Sequence, residues 1–265
     1  MQTQRKYGII EAKEPEFPPI SLLRVPHKNS ELFVNYPAFG PAYYSNNTEE
    51  MQKFYSHPQT GEKISFREPT ISESVSAAAH DFENLAKRQI FDPSFLQLGI
   101  ILRTSQGVYV NMPRDEEGKL IEDEEVLKRL LDKSKEINGI YLCDNDFGFA
   151  PYETFKQGEQ DCDEFTEGGL ARVLEHTEEK KAQKLEIIAS PEFYKRGVDV
   201  WGFDEVEKPV LKVVVLGSSR GFFIGRLNVG GYDWLDYLDG YGDDGYAFGG
   251  WYLAKPARKN LNQIY

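Results

Sequence analysis

Helical periodicity stops at Pro191, and this change of texture limits the folds open to the chain. Upstream, apolar residues recur at spacings of three and four. Downstream, short apolar runs alternate with Gly, Asp and Asn. The runs "GVDVWGF", "PVLKVVVLG", "GFFIGRLNV" and "YAFGGWYLA" read as strands, because β-branched and aromatic residues bounded by turn formers suit a pleated sheet. The expected class is therefore α+β, a mixed helical body followed by a loop-rich β module. No repeat of solenoid length is visible.

The upstream part divides again. Residues 1–69 hold eight of the fourteen prolines and read as an extended arm with isolated strands and turns. Residues 70–190 form the mixed body, and 191–265 the β segment. Within the body, "TISESVSAAAHDFENLAK" is expected to be a helix. Thr70 and Glu73 fit a capping box, and Val75, Ala78, Ala79, Phe82, Leu85 and Ala86 form its apolar stripe. "FLQLGIILRTSQGVYVNM" reads as two strands joined by a turn at Ser105 to Gly107. A second helix is expected over "IEDEEVLKRLLDKSKEI", burying Val126, Leu127, Leu130 and Leu131. "NGIYLCD" reads as a short strand. A third helix is expected over "GGLARVLEHTEEKKAQKLEII", with Leu170, Val173 and Leu174 facing the core.

Charge and cysteine usage exclude some classes. The formal net charge is −12. That argues against a nucleic-acid partner, which needs a dense basic footprint, and against an anionic membrane surface. No apolar run reaches a membrane span, and the first residues lack the apolar region of a secretory signal. The two cysteines, Cys143 and Cys162, are too few for a disulfide framework, so the expected compartment is cytoplasmic.

Candidate reactive constellations fail one by one. "GSSRG" at Gly217 matches a nucleophile elbow, but strand and turn residues follow where a helix is needed, and all four histidines precede Ser219. "DNDFGF" at Asp144 opens like a calcium loop, yet Phe149 and Phe155 occupy the positions that require Gly and Glu. It reads as a turn capped by Asp144 and Asp146. His176, among Glu175, Glu178 and Glu179, reads as solvated helix surface. His80 reads as exposed or hydrogen-bonded, and Cys143 as a small buried hydrophobe. No phosphate-binding glycine loop is present. No catalytic residue, metal or cofactor is expected.

What remains is "GGYDWLDYLDGYGDDGYAFGGWY", Gly230 to Tyr252, with eight aromatic residues, five aspartates and seven glycines. Binding surfaces use this mixture. Rings give large contact area at small entropy cost, and small polar residues give adaptable hydrogen bonds. The order "VLKVVVLGSS", "GRLNV", a Trp-containing polar stretch and "YAFGGWYLAKPARK" resembles the C-terminal end of the C-type-lectin-like fold, in its formylglycine-generating branch. That branch includes the variable proteins of diversity-generating retroelements. The resemblance covers about the last 55 residues. Leu216-Gly217-Ser218 stands where that family has Gly-Gly-Ser-Trp, and no cysteine follows Cys162, so the enzyme's catalytic cysteines have no counterpart.

The resemblance implies a binding fold without that chemistry. Its ligand surface would comprise Ser218, Ser219, Phe222, Phe223, Asn228, Tyr232, Trp234, Tyr237, Asp239, Tyr241, Asp243, Asp244 and Tyr246. Gly217, Gly225 and Gly249 would be scaffold positions, and Leu227 and Phe248 would face the core. The expected partner is an unidentified protein or other macromolecule. Two other readings stay open on the residues alone. One is a hydrolase using paired carboxylates among Asp233, Asp236 and Asp243. The other is a structural or assembly protein in which these rings are core.

Overall fold

The computed structural model describes residues 17–80, 82, 95–218, 225–233 and 245–251. Both helices and strands are present, as an α+β chain requires. The principal sheet runs β11 (Gly158–Gln160), β12 (Val198–Trp201), β14 (Leu227–Asp233), β13 (Val210–Ser218), β6 (Phe95–Arg103), β7 (Gly107–Val110), β10 (Gly148–Pro151), β9 (Ile140–Leu142), β8 (Lys135–Ile137). On the free edge of β6, beyond β7, lies β15 (Gly245–Ala247), which in turn pairs with β3 (Phe39–Ala42). Strands from all three sequence stretches thus share one sheet.

The sequence explains why the two central strands pair. β6 and β13 are nine-residue apolar runs, "FLQLGIILR" and "VLKVVVLGS". Buried on both faces, they read as continuous rather than alternating. Leu96, Leu98, Val214 and Leu216 belong to the main core, with α2 (Ile71–His80), α5 (Gly169–Glu175) and α6 (Gln183–Ile188) packed against it. Ile100, Leu211, Val213 and Val215 point to the opposite, outer face. That face carries α1 (Tyr44–Gln52) at one end and α3 (Glu124–Leu131) at the other.

The first expected helix begins as anticipated. Thr70 N–H donates to Glu73 Oε2 at 2.8 Å, and Glu73 N–H donates to Thr70 Oγ1 at 3.3 Å, which is the reciprocal capping box. Val75, Ala78 and Phe82 are buried; Leu85 and Ala86 lie outside the described residues. The β6–β7 hairpin also matches its expectation.

Three other expectations need correction. The arm contains a docked hairpin, β1 (Ser21–His27) with β2 (Ser30–Tyr36), the helix α1, and a small pair β4 (Tyr55–Ser56) and β5 (Lys63–Ile64). β2 further pairs with β16 (Gly250–Trp251). The second helix is shorter than its apolar pattern. Asp123 caps it, accepting from Glu125 and Val126 N–H, and only Leu127 of the four expected residues is buried, with Leu130 37% exposed. Residues 135–137 leave the helix for the hairpin β8–β9, because Asn138 and Gly139, at φ +51° and +79°, form a two-residue turn.

The third expected helix is two helices. α5 ends at His176, in the left-handed region at φ 54° and ψ 56°. His176 N–H bonds to Val173 C=O and Thr177 N–H to Arg172 C=O, a Schellman arrangement with histidine where glycine is usual. A further helix, α4 (Cys162–Glu167), precedes it, capped by Asp161. Among the described residues, no helix is long and apolar enough to cross a membrane.

Candidate functional site

The outer face around β14 is where the expected ligand surface meets the described sheet. Register places Gly217 opposite Asn228, Val215 opposite Gly230, and Val213 opposite Tyr232. β12 adds Asp199 beside Asn228 and Trp201 beside Gly230. Directly paired residues share a face, so these positions form one continuous patch. Two of its glycines have steric reasons to be glycine. A Cβ on Gly217 would overlap the Phe95 ring, and one on Gly230 would overlap the Trp201 ring. Each ring therefore packs closely against strand backbone on the outer face.

The other scaffold expectations also hold. Gly225 has φ +88°. Gly249 N–H donates to Asn35 Oδ1 at 2.6 Å, and a Cβ there would meet Phe66. Leu227 and Phe248 are fully buried.

Of the expected ligand-facing residues, Ser218 ends β13, Asn228 and Tyr232 lie on β14, and Tyr246 lies on β15. Asn228 is only 5% exposed, held in a central strand between β12 and β13, so it underlies the surface rather than forming it. Tyr246 is half-buried against the main core. Ser219, Phe222, Phe223, Trp234, Tyr237, Asp239, Tyr241, Asp243 and Asp244 lie outside the described residues, as does Asp236. Asp199, which the sequence did not single out, stands on the patch. Burial raises its pKa, opposed by Arg226 and reinforced by Glu159.

A second concentration of polar groups surrounds the start of α2. Asp146 Oδ2 accepts from Thr70 Oγ1 at 3.0 Å and from Ser72 Oγ at 3.1 Å, and Asp146 pairs with Lys28 from the β1–β2 turn. Its pKa is lowered: burial opposes this, but Lys28, His176 and the Thr70 hydroxyl outweigh burial. A carboxylate placed on the helix N-terminus also complements the dipole. His176 Nδ1 lies 3.3 Å from Lys28 Nζ and 3.5 Å from Asp146. The expectation of a solvated His176 is thus overturned: its side chain is 10% exposed, and burial together with Lys28 lowers its pKa. The left-handed cap turns the ring inward, which no local pattern encodes. Cys143, expected buried, is partly buried and packs against the cluster around Tyr109 and Phe147.

Next along α2, Ser76 Oγ lies 2.8 Å from both His27 Nδ1 and Lys184 Nζ. Burial lowers the pKa of His27 and of Lys184. A hydroxyl between two bases has the composition of an activated nucleophile. Its geometry argues otherwise. Ser76 is 2% exposed, and its hydroxyl proton is committed to Ser72 C=O at 2.8 Å. Ser76 then accepts from His27 and Lys184, and the group fastens the hairpin and α6 to α2. Among the described residues, no cluster of three or more His, Cys, Asp or Glu is arranged to hold a metal.

A cavity of about 360 Å³ opens on the outer face between α1, β6–β13 and the stretch 114–122. Tyr44, Ile100, Leu120 and Leu211 supply its apolar lining, and Glu68, Arg114, Lys119 and Glu122 its charges. No family model, curated protein or solved structure matches the chain.

Proposed function

We propose that this chain is a non-enzymatic binding protein whose contact surface is built by side chains of residues 217–251. One observation carries the reading. β14 is antiparallel to β13, and β13 to β6, while β15 is parallel to β6, so β14 and β15 run parallel with β13 and β6 between them. β14 ends at the Lys212 end of β13, whereas β15 begins beside Phe95 and Leu96, at the Leu216 end. Residues 234–244 must join those two points. They hold Trp234, Tyr237, Tyr241 and four of the segment's five aspartates. Such a composition offers large contact area and adaptable hydrogen bonds, which suits contact with a partner.

Two features support the same reading. β13 and β14 are buried and glycine-adapted, so stability resides in the framework. The mixture of rings, aspartates and glycines suits a protein or other macromolecular partner. The resemblance to retroelement variable proteins extends the proposal: positions 218–246 are the diversified ones. Two unpaired cysteines suit a reducing, cytoplasmic setting.

The test needs no ligand. Trp234→Ala, Tyr237→Ala and Tyr241→Ala should each shift unfolding free energy by less than about 0.5 kcal/mol, as exposed contact residues do. Losses of about 3–5 kcal/mol apiece, the range for buried aromatics, would return these rings to the core and remove the proposal. Sequencing of flanking DNA checks the diversification claim separately. It should find a reverse transcriptase and a near-copy of the terminal coding segment.

A further inference from the structure

The outer-face cavity is lined by Tyr44, Ile100, Leu120 and Leu211 together with four charged side chains. We propose that it is a site for a small monocarboxylate with an apolar body. Its volume, about 360 Å³, lies in the range of small-molecule sites, which are mostly apolar with a few placed polar groups. Ile100, Leu120 and Leu211 are each half-buried, packing on the core beneath while leaving aliphatic surface open at the cavity floor. The Tyr44 ring, with Ser45 and Thr48 one turn along α1, closes one side.

The charges at the rim are unequally committed. Glu68 is spent: Oε1 accepts from the Tyr44 hydroxyl and Oε2 from Arg114 at 2.5 Å. Arg114 is partly spent. One terminal nitrogen serves Glu68 and the other donates to Gly118 C=O at 2.9 Å. A guanidinium has five N–H donors, and the Arg114 side chain is 46% exposed, so donors remain for a ligand. Lys119 makes no ion pair among the described residues, and neither does Glu122.

A ligand entering over the aliphatic floor therefore meets a guanidinium fork already oriented by Glu68, with a free ammonium beside it. Guanidinium binds carboxylate through two parallel N–H bonds, and prior orientation by Glu68 reduces the entropy lost on binding. Glu122 is the only free anion of the four. The four side chains sum to zero formal charge, which gives no advantage to a multiply charged anion. One carboxylate on an apolar body satisfies both halves of the site.

Three probes with one body and different heads test this: 4-phenylbutyrate, 4-phenylbutan-1-ol and 4-phenylbutylamine. Each is titrated into the full chain while Ile and Leu methyl NMR signals are followed. The carboxylate should bind saturably, shifting the Ile100, Leu120 and Leu211 methyls, and at least about tenfold more tightly than the alcohol or amine. Lys119→Glu, at an exposed position that leaves the fold intact, should weaken the carboxylate at least about fivefold and leave the alcohol unchanged. Leu211→Phe, which fills the floor, should abolish all three. An amine that binds as well as the carboxylate would show that Glu122 rules the rim. That result, shifts confined to other methyls, or no saturation by about 10 mM would overturn the proposal.

Discussion

Gly230→Ala tests whether the outer face is organised by rings lying on glycine. In the native chain a Cβ at this position would sit 2.5 Å from Trp201 Cε2 and 2.8 Å from Cη2. Ordinary carbon contacts lie at about 3.5–4.0 Å, so the indole must lift by roughly an ångström. Overfilling of this kind costs about 1–3 kcal/mol. The alanine also restricts the unfolded chain, which returns about 0.4–1 kcal/mol. The backbone at Gly230 is not in the left-handed region, so no conformational strain adds to the sum. The net expectation is a loss of about 1–2 kcal/mol, measured as a lower urea midpoint at unchanged slope. Trp201→Leu removes the obstructing ring. In that background Gly230→Ala should be neutral or slightly stabilising, giving a coupling energy near the full steric cost. Equal effects in both backgrounds would refute the argument, because the glycine would then be required for some reason other than the indole.

Other consequences can be measured independently. Thr70→Ala removes both the α2 cap and the hydroxyl bond to Asp146, and should cost about 1–2 kcal/mol, visible as a thermal midpoint lower by several degrees; a shift of zero would discard the capping argument. Gly139→Ala places a Cβ at φ +79° in the β8–β9 turn, 3.1 Å from Thr154, and should destabilise by about 1 kcal/mol, whereas Asn138→Gly should be close to neutral. The histidines predict a pH dependence. Burial lowers the pKa of His27 and His176, so the unfolded chain takes up protons near pH 6.5 before the folded one does. Their contribution to stability is present above about pH 6.5 and is lost as pH falls towards the folded values, by at most about 1.4 kcal/mol per pH unit for each. Glu175 and Asp199, with raised pKa values, act in the opposite sense but are unchanged in a His27→Asn/His176→Asn variant. The variant should therefore flatten the stability slope between pH 7 and 5.5; an unchanged slope would mean that the histidines do not titrate differently on folding.

Much of the local structure was legible. The Thr70–Glu73 box, the 95–110 hairpin and the strand at Ile140 each depend on a few neighbouring residues, and each forms where its pattern lies. The Asn138-Gly139 dipeptide carried enough information to end the second helix early, since both residues accept positive φ. Its flank misled because the lysine-rich residues 132–136 suit a helix C-terminus, whereas α3 stops at Leu131 and β8 begins at Lys135. The 168–188 stretch misled for a different reason. His176 breaks it by entering the left-handed region, where glycine or asparagine is the usual cap.

The sequence by itself determined the elements: which runs are stiff and apolar enough to be strands, that Thr70 and Glu73 cap a helix, and that the terminal segment is rich in rings and small polar groups. Only the tertiary structure decided their company. Residues 39–42, 95–103, 210–218 and 245–247 meet in one sheet, and Lys28, Asp146 and His176 meet at one helix end. Most of these contacts join positions more than a hundred residues apart. Their stability comes from shared burial and cross-strand register, quantities that belong to pairs of segments and are written in neither segment alone.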